Sequence, residues 1–203
     1  MKLGMIDYGR GNLRSVINAC RALGHDPELI TSSAGLEGLT HVIFPGQGAF
    51  GDCMESLNRL GLAEPLREWI QADRPYFGIC VGFQLLFSSS EEAPGIKGLS
   101  AINGACQRFT CRNIKVPHMG WNALDLKQPQ SPHWKGFSSA PYFYFVHSFY
   151  PSGVNEEDIA ATCTYGEETF CAAIQRGNLL ATQFHPEKSQ HAGLQLLGNF
   201  LGK

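Results

Sequence analysis

The sequence lacks the long apolar runs and the basic clusters that would direct it to a membrane or to a nucleic acid. No stretch approaches the roughly 20 consecutive apolar residues of a membrane-spanning helix. Charged residues make up only 17% of the chain, the net charge is −2, and no basic run alternates with aromatic residues. Nucleic-acid-binding chains usually carry such runs. We therefore expect no membrane and no nucleic acid among its partners.

Cysteine pairs and histidine clusters at metal-binding spacing are missing as well. The seven cysteines are odd in number, none forms a Cys-x-x-Cys motif, and the first residues contain no apolar signal-peptide region. These features predict free thiols in a reducing cytoplasm. None of the seven histidines stands at a zinc-ligand spacing from a cysteine or a carboxylate. The sequence thus predicts no metal and no cofactor.

The chain does contain enough apolar residues for a full core. Its 203 residues, 43% of them hydrophobic, predict a single domain over 1–203. In the first half, short apolar strands alternate with amphipathic helices, which predicts an α/β fold with a mostly parallel central sheet and flanking helices. The expected strands are Lys2–Asp7, Glu28–Ile30, Val42–Phe44 and the run from Pro75; one helix follows the loop 8–11 and ends near Gly24, and others fill 52–73, with Pro65 opening the second.

The second half differs because strand-like segments follow one another, separated by turn residues. This pattern predicts a smaller antiparallel portion in that half of the chain. Surface loops are expected at 88–98 and 127–141, and an amphipathic helix carrying Leu194, Leu197 and Leu201 closes the chain. The expected strands are Leu99–Phe109, Tyr142–Val146, Ile159–Thr164, Phe170–Gln175 and Leu179–Phe184.

The segment Gly78-Ile79-Cys80-Val81-Gly82 lies between two apolar runs. A short strand, a Gly-x-Cys-x-Gly turn and a helix form a nucleophile elbow, in which the turn is so sharp that its neighbours must lack bulk. The thiol then stands at the carboxyl end of a strand, where the N–H groups of the next helix favour the thiolate. The alternative is a buried core cysteine between two helix breakers.

The segment His185-Pro186-Glu187 follows the last expected strand and could supply a base for Cys80. On an extended segment residues i and i+2 face the same side, so a carboxylate at Glu187 could orient the His185 imidazole and stabilise imidazolium. The alternative is an exposed turn that opens the final helix. The presence of the elbow in the same chain favours a Cys80, His185 and Glu187 triad.

An oxyanion formed at Cys80 would need hydrogen-bond donors. The N–H of Val81 is one candidate, since it follows the nucleophile. Gln47 and Gly48, in the glycine-rich segment that follows the strand Val42–Phe44, could supply another. The alternatives are an ordinary strand-to-helix turn or a phosphate loop, but the segment lacks the Gly-Lys-Ser/Thr ending of a phosphate loop.

Together the elbow, the Pro-Gly-x-Gly loop and the terminal His-Pro-Glu resemble the class I (triad) glutamine amidotransferases, whose fold is flavodoxin-like. Within that class the chain is most similar to the family of glutaminase subunits of imidazole glycerol phosphate synthase. The motifs that carry the resemblance run nearly end to end: Ile6–Gly9, Gly11–Val16, Pro45–Phe50, Gly78–Phe87, Val116–Asn122, Tyr144–Ser148 and Gln183–Gln190.

The resemblance implies a reaction and a set of roles. Glutamine would be hydrolysed to glutamate and ammonia through a Cys80 thioester, and the ammonia would pass to a (β/α)8-barrel cyclase in a heterodimer that makes imidazole glycerol phosphate and AICAR for histidine biosynthesis. Residues implied to hold glutamine are Gly48, Gln84, His147, Ser148 and Phe149. Residues implied to face the partner are Met119, Trp121, Asn122 and Lys188. A core position is the alternative for Trp121.

Two departures from the family pattern concern the oxyanion loop. Gln47 stands where an apolar residue is common, and Val81-Gly82-Phe83 replaces Leu-Gly-Met. Asp7 is expected to brace the first loop and to have no catalytic role. Three other functions remain open from the residues: a glutaminase of another synthase, which Met119-Gly120-Trp121 disfavours, a cysteine peptidase, or an interaction module without turnover.

Overall fold

The computed structural model describes residues 1–9, 13–111 and 114–202. Arg10, Gly11 and Asn12, which belong to the first expected loop and to one of the motifs, lie outside the described residues. The first half alternates strands and helices as expected. Its elements are β1 (Leu3–Ile6), α1 (Leu13–Ala22), β2 (Glu28–Ile30), β3 (His41–Gly46), α2 (Phe50–Arg59), α3 (Ala63–Gln71), β4 (Tyr76–Cys80) and the one-turn α4 (Val81–Gln84).

The second half consists mostly of strands and ends in a helix. Its elements are β5 (Ala105–Arg108), β6 (His118–Ala123), β7 (Asp125–Leu126), β8 (Tyr142–His147), β9 (Phe149–Ser152), β10 (Ile159–Tyr165), β11 (Glu168–Arg176), β12 (Leu179–Thr182) and α5 (Gln190–Phe200).

In the described part of the chain, eight strands form one sheet in the order β2-β1-β3-β4-β12-β11-β10-β7. The strands from β2 to β12 are parallel, whereas β11, β10 and β7 extend the sheet with antiparallel pairings. Two antiparallel ribbons, β5–β9 and β6–β8, stand beside it. The predicted mostly parallel sheet with an antiparallel portion is therefore confirmed.

The central strands are buried on both faces, as expected when helices cover both sides of a parallel sheet. Their apolar side chains form a core with the buried faces of the helices. The helix α5, for example, packs Phe200 against Phe77 of β4, with ring centroids 5.2 Å apart. This packing supports the strand that carries Cys80. Among the described residues, no helix has the length and apolar character needed to cross a bilayer.

Several predicted boundaries were wrong. The strand expected over Leu99–Phe109 is only β5, because Ser100 and Gly104 have φ values of +53° and +120°, which a strand cannot accommodate. Helix α3 begins at Ala63, two residues before the Pro65 that was expected to open it. Strand β12 ends at Thr182 and not at Phe184. The predicted helix end at Gly24 is confirmed by its φ of +81°.

The loop expected at 127–141 is not wholly at the surface. It contains a single 3-10 turn, Pro132–Trp134, in which the Trp134 side chain is buried against Phe137 and Phe143. Strands β6, β7 and β9 were not predicted. Asp7, as predicted, braces the first loop, since one of its carboxylate oxygens accepts a hydrogen bond from the Gly9 N–H at 2.9 Å.

Candidate active site

Three neighbouring parallel strands end at the same edge of the sheet and bring the candidate residues together. Strand β4 ends at Cys80, β3 ends at Gly46 directly opposite Cys80, and β12 leads to His185. Because parallel strands present their carboxyl ends at one edge, segments far apart in the sequence converge there. The edge is where ligands bind in open α/β sheets.

Cys80 has the backbone conformation of a nucleophile elbow. Its φ of +54° and ψ of −105° are unusual for a residue with a side chain. Glycines make the turn possible: a Cβ on Gly82 would lie 2.0 Å from the Phe44 carbonyl oxygen, and one on Gly78 would lie 2.6 Å from the Gly82 oxygen. The Tyr76 hydroxyl donates to that Gly82 oxygen at 3.1 Å. The elbow is thus packed tightly on β3 and β4.

His185 and Glu187 form a buried pair beside the thiol. The Nδ1–H of His185 donates to Glu187 Oε1 at 2.8 Å, which leaves Nε2 without a hydrogen-bond partner among the described residues. Burial lowers the pKa of His185, but the Cys80 thiolate and the Glu187 carboxylate outweigh burial and raise it to about 10. His185 therefore carries its proton at neutral pH, next to the Cys80 sulfur.

A cavity of about 360 Å³ opens beside this pair. Its size suits a small metabolite. It is lined by Gln47, Gly48, Cys80, Val81, Gln84, Glu92, Pro117, Val146, His147, Ser148, Phe149, His185 and Lys188. The sequence-based candidates for nucleophile, base, oxyanion donors and glutamine contacts thus line one cavity.

The loop after β3 is held by Tyr8. The hydroxyl of Tyr8 accepts a hydrogen bond from the Gln47 N–H at 3.1 Å and donates to the Gln47 carbonyl at 3.2 Å. The Gln47 N–H, predicted as an oxyanion donor, is therefore already used by Tyr8. Gly48 follows with a φ of +118°, which glycine adopts readily. This leaves Gly48 and Val81 as the better candidates for the oxyanion donors.

Gln84 and His147 meet at one main-chain carbonyl. Gln84 Nε2 donates to the Phe149 oxygen at 2.9 Å, and His147 Nδ1 donates to the same oxygen at 2.9 Å. His147 Nε2 then accepts from His118 Nδ1 at 3.1 Å. Burial lowers the pKa of His118 to about 4 and that of His147 to about 3, so both imidazoles are neutral at pH 7.

The ribbon β6–β8 has an exposed apolar face next to the cavity. Met119 and Trp121 are 62% and 46% exposed, which rules out the core alternative for Trp121. Trp121 lies edge-on to Tyr144, and Lys188 Nζ stands 5.9 Å above the Tyr144 ring. Asn122, predicted to lie with these residues, points to the opposite face, where it donates to the Thr164 carbonyl at 2.9 Å.

Sequence reasoning missed three residues of this site. Gln183 lies with its amide against the Cys80 sulfur, Glu92 lines the cavity, and Tyr8 holds the loop at Gln47. Gln183 and Glu92 occur in segments where the sequence pattern indicated other residues, and Tyr8 lies 39 positions from Gln47. Among the described residues, no group of three or more His, Cys, Asp or Glu side chains could hold a metal ion.

Comparison with known proteins identifies what the chain is similar to. The family model described as glutamine amidotransferase class-I matches residues 4–203. The chain is 44% identical to the imidazole glycerol phosphate synthase subunit HisH of Syntrophotalea carbinolica, over 97% of both chains. It is 46% identical to part of the chloroplastic imidazole glycerol phosphate synthase hisHF of Arabidopsis thaliana, covering 97% of this chain and 33% of that protein.

Solved structures support the fold. A crystal structure of a glutamine amidotransferase superposes with a TM-score of 0.77 at 20% identity, over 99% of this chain and 97% of the other. The structure of PurLQS from Thermotoga maritima gives a TM-score of 0.75 at 18% identity, over 98% and 97%. At these identities the likeness concerns the fold alone.

Proposed function

We propose that Cys80, His185 and Glu187 catalyse the reaction of this chain, which belongs to the glutamine amidotransferase class-I family. Within that family it is a HisH-type glutaminase subunit of imidazole glycerol phosphate synthase, in histidine biosynthesis. The observation that carries this proposal is the buried pair formed by His185 and Glu187 at 2.8 Å, with the free Nε2 of His185 next to the thiol of the elbow.

The first half of the reaction forms a thioester. The Cys80 thiolate attacks the side-chain carboxamide carbon of glutamine, and the carbonyl electron pair moves to oxygen. When the tetrahedral intermediate collapses, the C–N bond breaks and the His185 imidazolium gives its proton to the departing ammonia. Glu187 holds the imidazole in the tautomer whose Nε2 faces the sulfur.

The second half releases glutamate. His185, now neutral, takes a proton from water as the water oxygen attacks the thioester carbon. The C–S bond then breaks, the electron pair returns to sulfur, and the imidazolium–thiolate pair is restored. Each tetrahedral oxyanion is stabilised by the N–H groups of Val81 and Gly48, and a single donor of this kind typically contributes about 2.7–4 kcal/mol to the transition state.

The cavity offers groups for both ends of glutamine. The Glu92 carboxylate, one oxygen of which accepts from the Phe50 N–H at 2.7 Å, provides negative charge for the α-ammonium group. Both amide hydrogens of Gln84 are used within the protein, so Gln84 contacts the substrate through its oxygen. Ser148 and Phe149 form the wall next to His147.

The ammonia is delivered to a (β/α)8-barrel cyclase that covers the exposed face of the β6–β8 ribbon in a cytoplasmic heterodimer. Ammonia released into neutral water would become ammonium, which is not nucleophilic, so direct transfer is needed. Met119, Trp121 and Lys188 supply the contact, and Val146 and Lys188 line the cavity as well, which joins the face to the site. The fusion named hisHF in Arabidopsis thaliana is consistent with such a pair.

One paired experiment tests the proposal. Wild type and Cys80→Ala are each combined with a histidine-pathway cyclase, and product formation is measured with glutamine and, separately, with ammonium salt at high pH. The variant should lose glutamine-driven synthesis and keep ammonium-driven synthesis, because the cyclase site lies elsewhere. Glutamine-driven synthesis by Cys80→Ala would refute the nucleophile, and failure of wild type to bind the cyclase would refute the partner.

A further inference from the structure

Gln183 is a fully buried amide at the nucleophile. The Gln183 residue is wholly inaccessible to solvent. Its Nε2 lies 3.7 Å from the Cys80 sulfur, within the range of N–H···S hydrogen bonds. Burying an amide costs free energy unless it is hydrogen-bonded. Here one of the bonds that offsets this cost goes to the reacting atom itself.

The orientation of this amide follows from its neighbours. The Phe149 carbonyl can only accept, so the Gln84 group that contacts it at 2.9 Å must be Nε2. The same Nε2 lies 3.1 Å from one end of the Gln183 amide. That end must be the oxygen, since two NH2 groups would otherwise face each other. The Gln183 NH2 group is therefore turned toward Cys80.

A donor fixed in this way acts when sulfur carries charge. Hydrogen bonding to the charged form of a group favours that form, so an N–H aimed at sulfur stabilises thiolate over thiol. The sulfur is anionic before it attacks glutamine and again when the C–S bond of the thioester breaks. The main chain of Gln183 is also fixed, because its N–H donates to the Ala172 carbonyl at 2.8 Å across the sheet.

We propose that Gln183 is a catalytic residue whose amide N–H stabilises the Cys80 thiolate as nucleophile and as leaving group, and that Gln84 is the positioning residue that sets its orientation. This inference rests on the role of Cys80 as the nucleophile. It concerns a residue outside the triad and outside the oxyanion donors. Its test needs neither glutamine nor the cyclase.

The test measures alkylation of Cys80 by iodoacetamide in the folded chain, with the modified peptide quantified by mass spectrometry. Gln183→Met keeps the length of the side chain and removes the donor. Near pH 7 its rate should fall by about fivefold or more, because the thiolate has lost a donor. Near pH 10, above the ordinary cysteine pKa of about 8.5, its rate should match wild type within about twofold. Gln175→Met, on the adjacent strand β11, is the matched control and should react like wild type at both pH values.

Two further variants keep the test decisive. Gln183→Asn retains an amide that is one methylene too short to reach the sulfur, and it replaces the methionine variant if that does not fold. Gln84→Met should lower the rate near pH 7 by about twofold to threefold, and adding it to Gln183→Met should cause no further loss, since residues that act as a unit are not additive.

Each outcome bears on a different claim. An unchanged rate near pH 7 in both Gln183 variants, or an equal loss near pH 7 and near pH 10, would overturn the donor role, because packing changes affect access at every pH. Losses that multiply in the double variant would overturn the positioning role of Gln84. A wild-type Cys80 that reacts no faster than an ordinary thiol would instead contradict the proposed function.

Discussion

The Tyr8 hydroxyl holds the main chain of Gln47 on both sides, accepting from its N–H at 3.1 Å and donating to its carbonyl at 3.2 Å. The Tyr8 ring is fixed in turn by an edge-on contact with Phe44, at a centroid distance of 5.5 Å. Tyr8, a residue of the first loop, thereby fixes the backbone conformation of Gln47, which directly precedes Gly48. The oxyanion loop is positioned by a side chain and not by its own glycines alone.

We predict that Tyr8→Phe lowers kcat for glutamine in the assembled complex by about tenfold and changes KM little. The substitution removes two hydrogen bonds, each contributing about 0.5–1.5 kcal/mol net, and a loop that is less fixed stabilises the oxyanion less. Steady-state kinetics check this. Tyr165→Phe is the control, because its hydroxyl donates to the Lys115 carbonyl outside the cavity. A tenfold rise in KM at constant kcat would contradict a role in the transition state.

A glutamine-like chloroketone should label Cys80 before any other cysteine, and free glutamine should slow this labelling. The reason lies in the other thiols. Burial raises the pKa of Cys20 and of Cys163 to about 12, so these thiols remain protonated and unreactive at neutral pH. Peptide mass spectrometry after limited labelling identifies the modified site. Equal labelling of Cys20 or Cys163, with no protection by glutamine, would contradict the assignment.

Glu187→Gln should move the alkaline limb of the pH–activity profile to lower pH and reduce kcat by about tenfold to a hundredfold. His185 must be protonated to release ammonia, and its raised pKa keeps it protonated up to about pH 10. Losing the Glu187 carboxylate lowers that pKa, so imidazolium is lost earlier as pH rises. His185→Ala should lose nearly all turnover. A Glu187→Gln profile identical to wild type would reduce Glu187 to a residue that opens the turn before α5.

The parts of the site that were predictable from the sequence are those encoded locally. Gly78 and Gly82 flank Cys80 within five residues, so local spacing indicated the elbow. Glu187 lies two positions from His185, and the elbow in the same chain favoured this pair as the base and its orienting group. The contacts of Gln183 with Gln84 and Cys80 span 99 and 103 positions and follow only from the pairing of β4 with β12. No local pattern reports such a pairing.

The orientation of the Asn122 side chain was not predictable for a related reason. Strand β6 was not predicted, so Met119, Trp121 and Asn122 were placed on one surface. Alternation along a strand separates them: Met119 and Trp121 face outward, whereas His118 and Asn122 share the inner face. Recognising this strand would have placed the Asn122 side chain on the inner face.

Glu168 should stabilise the wall of the cavity at neutral pH, and this stabilisation should be lost in acid. Its carboxylate accepts hydrogen bonds from the Tyr150 hydroxyl, from the Thr110 N–H and hydroxyl and from the Cys111 N–H. These bonds hold the segment that follows Phe109, and the Phe109 ring packs against His118 and His147. Burial raises the pKa of Glu168, but these bonds outweigh burial and lower it to about 2. A lowered folded-state pKa contributes stability above the unfolded value of 4.5 and loses it as pH falls toward 2.

The corresponding variant is Glu168→Gln, compared with the adjacent, exposed Glu167→Gln. Thermal melts should show a lower Tm for Glu168→Gln at neutral pH, and the difference from wild type should shrink as pH falls from about 5 toward 2. Glu167→Gln should show little difference throughout. A Tm gap for Glu168→Gln that stays constant or widens in acid would show that the carboxylate is not held ionised by these bonds.

The exposed face of the β6–β8 ribbon offers the last test, because it separates partner binding from chemistry. The large exposed hydrophobic side chains of this ribbon are Met119, Trp121 and Tyr142. The Tyr144 ring contacts Trp121 edge-on and keeps the indole in an exposed position. Tryptophan is prominent among residues that dominate binding energy at interfaces.

Trp121→Ala should weaken binding of the cyclase by about 1 kcal/mol or more while leaving Cys80 labelling unchanged. The ratio of synthase product to glutamine hydrolysed should fall too, because a looser contact lets ammonia escape to solvent. Leu29→Ala is the control: Leu29 is 50% exposed on the edge strand β2, away from the cavity. Titrated affinity and the product ratio are measured together for both variants. If Trp121→Ala matches Leu29→Ala in both quantities, the cyclase does not dock on this face.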